Sequence, residues 1–92
     1  MPFDIELSEA AFDSLDELDA HLQAAVAVHL RRLAESPALL SRPSASPPDP
    51  PGYQRFEFVV DKTRLFRVFF KYRSDEQTLW VGLIGHHATG GA

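Results

Sequence analysis

Arg55, Arg67 and Lys71 fall at alternate positions of the segments QRFEFVV and LFRVFFKY, and His86 and His87 close the apolar run LWVGLIGHH. Alternate residues of a strand share a face. Phe56, Phe58 and Val60 therefore oppose Arg55 and Glu57, and Phe66, Val68, Phe70 and Tyr72 oppose Leu65, Arg67, Phe69 and Lys71. With the apolar faces turned to a core, the three cations share the other face, and a histidine from the end of the last strand joins them. His86 and His87 are neighbours, so they point to opposite sides and at most one reaches Arg67. Guanidinium and ammonium groups hold a phosphodiester and stabilise charge that develops on it. An imidazole moves a proton near neutral pH. Those are parts that a metal-free ribonuclease needs. The plainer alternative is a solvated polar face with Arg67 and Lys71 paired to Glu57 and Asp75, and a strand terminus without a role.

The elements that position these groups follow from periodicity. Residues 3–7 (FDIEL) alternate as a short half-buried strand. Ser8 offers a helix N-cap and Glu9 a favourable first-turn charge; Ser14 and Glu17 stand at capping-box spacing. Leu15, Leu18, Leu22, Val26, Leu30 and Leu33 make one helical stripe. The stripe fits one bent helix over 9–35 or a helical pair broken near 13–19. Six of the seven prolines lie in SPALLSRPSASPPDPPG, residues 36–52, which is expected to be an extended connection without helix or central strand. Mobility is expected around 44–49, with the segment 41–51 serving as a partner surface. Strands are expected over 54–60, 65–72 and 78–85, the last apolar throughout, with Trp80 on the face of Ile84. The chain thus predicts one α+β domain over 1–92, a mostly antiparallel sheet with helices on one face. Its core seam sets the leucine stripe against Phe56, Phe58, Phe66, Val68 and Phe70.

Composition bounds the function. The chain of 92 residues has 45% hydrophobic residues and no cysteine, which gives a folded domain without disulfide or thiolate metal site. His21, His29, His86 and His87 show no ligand spacing within one element, so no metal and no cofactor are expected. No run approaches the roughly 20 apolar residues of a membrane helix, and the acidic start lacks the order of a signal peptide, which leads to an expected cytoplasmic location. The net charge of −4 is polarised. Residues 1–51 carry nine acidic and three basic side chains, whereas 52–92 carry four acidic and six basic, so only the second half offers a weakly basic surface.

The succession of a short strand, helices, then GYQRFEFVV, TRLFRVFFKY and LWVGLIGHH resembles the RelE/ParE superfamily of type II toxin–antitoxin toxins. The stretch RLFRVFFKY is similar to YhaV-like and HigB-like members. The resemblance implies that Arg67 is the central-strand arginine on the scissile phosphate. It sets His87 or His86 at the basic or histidine position of the active site, and Arg55 at the basic residue of the preceding strand. It further implies a cognate antitoxin as partner. In the RelE branch the fold cleaves mRNA in the ribosomal A site, and in the ParE branch it poisons gyrase. The expected function is therefore an mRNA endoribonuclease acting on the ribosome, with Arg67, His87 and His86 catalytic and Arg55 and Lys71 binding substrate. The alternative is a non-catalytic binding module, either a ParE-like gyrase binder or a degenerate toxin that docks a partner protein.

Overall fold

The computed structural model describes residues 2–44, 47–75 and 77–89. The chain opens on strand β1 (Asp4–Leu7), followed by helices α1 (Glu9–Asp16) and α2 (Ala20–Glu35). Of the two helical arrangements the sequence allowed, the broken one is observed. Ser8 Oγ accepts the Ala11 amide at 3.0 Å and donates to the Gly82 carbonyl at 2.8 Å, so one hydroxyl both caps α1 and ties it to the far end of the chain. The second start is capped by Asp19, whose Oδ1 accepts the Leu22 amide at 2.9 Å. Ser14 is no cap: it lies inside α1 and donates to the Ala10 carbonyl.

The Pro-rich connection holds more structure than its composition implied. Pro37 opens a one-turn helix α3 (Pro37–Leu40), because its fixed φ and missing N–H suit a first helical turn. Arg42 and Pro43 then form a two-residue edge strand β2. The expected mobility around 44–49 falls partly on residues 45 and 46, which lie outside the described residues. Strands β3 (Gln54–Val60), β4 (Arg64–Tyr72) and β5 (Thr78–Ala88) complete the fold. The last strand runs three residues further than expected and so includes both histidines.

The five strands form one sheet in the order β1-β5-β4-β3-β2, antiparallel except for β1, which runs parallel to β5. Both helices of the leucine stripe cover one face. Val26, Leu30 and Leu33 are buried against Phe56, Phe58, Phe66, Val68 and Phe70, with Leu15, Leu18 and Leu22 packed at the margin, as the periodicity required. Phe66 and Phe70 are fully inaccessible to solvent. One register change matters for the site. Phe69 pairs with Leu83 but Phe70 with Val81, so Gly82 is an extra residue in β5. The bulge inverts the alternation: Leu79 and Val81 face the core on one side of it and Ile84 on the other. Trp80 therefore shares the face of Lys71, its direct partner, and not that of Ile84 as simple alternation implied.

Candidate functional site

The helix-free face of the sheet carries the residues singled out by the sequence. Glu57 of β3 stands directly across from Arg67 of β4, and Arg67 directly across from Gly85 of β5. His87 pairs with Leu65 and is thus the diagonal neighbour of Arg67. Such neighbours lie roughly 7–8 Å apart, within reach of long side chains. A Cβ added at Gly85 would meet nothing within 4 Å, so the surface between Arg67 and the exposed His87 is open. Arg67 Nε donates to Glu57 Oε2 at 2.7 Å. Among the described residues its guanidinium bonds only there, which leaves both Nη groups unengaged.

Three further cations share this face: Arg42 of β2, which pairs directly with Arg55, and Arg55 and Lys71, which are committed to neighbours. Arg55 Nη1 donates to Asp49 Oδ2 at 2.9 Å, and its Nε lies 3.7 Å from Glu57 Oε1. The Asp49 side chain is only 8% exposed, so this pair pins the Pro-rich connection to the sheet. Lys71 Nζ sits 4.5 Å over the Tyr53 ring, a cation–π contact. Tyr53 in turn rests on the bulge: a Cβ at Gly82 would come within 2.7 Å of its hydroxyl. Asp75, offered as a partner for these cations, instead accepts the Gln77 and Thr78 amides in the β4–β5 turn. Sequence reading missed Asp49, Tyr53, Gly82 and Gly85 as parts of this surface. The glycines inside a strand pattern were the available signal.

His86 is on the opposite face. Its ring lies 5.0 Å from that of Phe66, and its Nδ1 accepts from Arg64 Nη1 at 3.0 Å. His86 and His87 thus divide between the faces as alternation demanded, and only His87 joins Arg67. His29 stacks on Phe58 at 4.1 Å and accepts from Arg32 Nη1 at 2.7 Å. Burial, then the Arg32 charge, lower its pKa. His21 has the reverse setting: its hydrogen bond to Asp61, 2.6 Å long, raises its pKa. Acidification below about pH 6.5, the ordinary histidine value, therefore works against the His29 contact in the folded state. The His21–Asp61 contribution is fully present below that pH and is lost as pH rises through the raised value. An NMR titration of the imidazole signals is expected to place His21 above and His29 below the free value; the reverse order contradicts both settings. Among the described residues no group of three or more His, Asp or Glu is arranged to hold a metal.

A five-stranded mixed sheet with helices on one face and an Arg–His pair on the other defines an α+β domain of a known kind. The chain has a RelE-like fold. It superimposes on a chain of the toxin–antitoxin complex RelBE2 from Mycobacterium tuberculosis with a TM-score of 0.74 at 18% identity, covering 95% of this chain and 100% of that one. The isolated Escherichia coli RelE toxin gives a TM-score of 0.65 at 14% identity over 90% of this chain and 82% of that one. The archaeal RelE–RelB complex from Pyrococcus horikoshii gives 0.61 at 9% identity over the whole of both chains. No family model matches the sequence, and no curated protein does. No helix of the described residues is long and apolar enough to cross a membrane.

Proposed function

We propose that the chain is the toxin of a type II toxin–antitoxin system and a metal-independent endoribonuclease that cuts mRNA on the ribosome, in the cytoplasm. The observation that carries this reading is the sharing of one helix-free face by Arg67 and His87, with Gly85 leaving open space between them. The Nη groups of Arg67, unengaged among the described residues, hold the scissile phosphate and stabilise the charge that builds on it as the 2′-hydroxyl attacks. His87 is the acid–base residue beside it. His86, on the other face, supports the strand and not the reaction. Lys71, at the margin, steers the RNA backbone, while Arg55 acts at one remove through its carboxylate neighbours. A cognate antitoxin is the protein partner, since solved relatives of this fold are complexes with RelB.

The test is single-turnover cleavage of an mRNA whose codon occupies the ribosomal A site, using purified protein. His87→Ala is expected to slow cleavage by roughly 10²–10⁴, the range for loss of a positioned proton carrier. His86→Ala is expected to leave the rate near that of the wild type. Equal losses for the two variants contradict the assignment. The Glu57–Arg67 ion pair and the net charge of −4 favour a second reading, the non-catalytic binding module, in which this face only docks a protein such as gyrase. Under that reading the wild type leaves the mRNA uncut.

A further inference from the structure

We infer that Glu57 is a positioning residue that orients Arg67 for phosphate, and that it is held in place by Asp49 of the Pro-rich connection through Arg55. This deepens the nuclease reading and rests on it for its kinetic consequence, although the geometry stands by itself. Four side chains form a string of alternating charge. Asp49 Oδ2 meets Arg55 Nη1 at 2.9 Å, Arg55 Nε lies 3.7 Å from Glu57 Oε1, and Glu57 Oε2 accepts from Arg67 Nε at 2.7 Å. The string runs from residue 49 to the centre of the sheet, where Arg67 sits opposite Gly85.

An arginine on an open sheet face samples many rotamers, and a catalytic guanidinium has to be preset before the charge develops. Glu57 achieves this through the one nitrogen that phosphate recognition does not need. A bond at Nε fixes the plane of the guanidinium and leaves the terminal fork free for a two-point contact with phosphate. Ordinary surface ion pairs contribute little because both partners are loose. Here the far end is not loose: the Asp49 side chain is 8% exposed, and the Arg55 side chain is 27% exposed. Tyr53, seated on Gly82, fixes the same connection a second time. The connection thus becomes part of the site by restraining a side chain it does not touch. The string holds two carboxylates and two guanidinium groups, so the face is preorganised without being strongly basic.

The test pairs kinetics with a measurement that needs no RNA. In the folded wild type the Arg67 Nε–Hε NMR signal is expected to be sharp and protected from exchange. In Glu57→Ala it is expected to broaden into fast exchange, and Glu57→Gln, whose amide oxygen still accepts, is expected to restore much of it. In steady-state cleavage with varied substrate Glu57→Ala lowers kcat by on the order of 10²-fold, the cost of misplacing a reacting group by about 1 Å. Its KM stays level or falls, because a carboxylate near the phosphate has gone. Asp49→Ala shows the same pattern in weaker form. A Glu57→Ala variant with an unchanged Arg67 signal, with wild-type kcat, or with its whole loss in KM overturns the inference. A wild type that cuts no RNA rejects the nuclease reading, while the Arg67 signal still decides the tether.

Discussion

Arg67→Ala abolishes growth arrest on induction while the protein keeps its fold: this is the expected result of removing the guanidinium at the centre of the helix-free face, whose terminal nitrogens are unengaged among the described residues. A donor aimed at charge that develops in the transition state is worth roughly 2.7–4 kcal/mol, or about a hundred- to thousandfold in rate. The loss of stability is much smaller. The Arg67 side chain is 38% exposed and its partner Glu57 35%, and exposed ion pairs of that kind contribute about 0–1 kcal/mol. Arg67→Lys is expected to recover little, since an ammonium keeps the charge but not the planar fork. Growth after induction, read beside thermal unfolding by circular dichroism, separates the two effects. An Arg67→Ala protein that still arrests growth removes the guanidinium from the chemistry. One that fails to fold shows that the surface pair was misjudged.

Phe66→Ala is expected to have the largest effect on stability. Its ring is fully buried, stacked on Phe58 at 5.2 Å and 7°, and closed on the other side by the His86 ring at 5.0 Å. Truncating a buried phenylalanine costs about 3–5 kcal/mol, because transfer energy is lost and a cavity remains. A domain of this length has a total stability of roughly 5–14 kcal/mol at the usual 0.05–0.15 per residue. The variant therefore loses between a fifth and all of its margin by that order-of-magnitude comparison. Urea titration is expected to show a sharply lower midpoint with little change in slope. Leu39→Ser, at a side chain 85% exposed, is the control and is expected to change stability by no more than about 0.5 kcal/mol. A Phe66→Ala midpoint near that of the wild type would place the core elsewhere.

Much of this architecture was legible because its signals are local. The bounds of β3 and the helical stripe follow from period 2 and period 3.6, and the opposed directions of His86 and His87 follow from alternation alone. Trp80 shows where that logic stops. A single glycine bulge at Gly82 reverses the alternation, and a run as apolar as LWVGLIG gives no polar residue to expose the reversal. The helix α3 was hidden by counting prolines without asking which of them could begin a helix. The pairing of β1 with β5, the first strand with the last, is a tertiary choice on which periodicity is silent. The Asp49–Arg55 contact is of the same kind. Nothing in PPDPPG indicates that its carboxylate turns inward, because the reason lies in the sheet it packs on. The candidate site was thus legible as a set of residue types on one face, and its supporting carboxylates were not.

Primer extension on cellular mRNA after brief induction of the wild type shows whether the protein cuts RNA. New 5′ ends are expected within translated regions as growth stops, and are expected to be absent after induction of Arg67→Ala. Growth arrest over intact mRNA contradicts the nuclease reading and leaves the RelE-like fold of this chain as the scaffold of a binding protein.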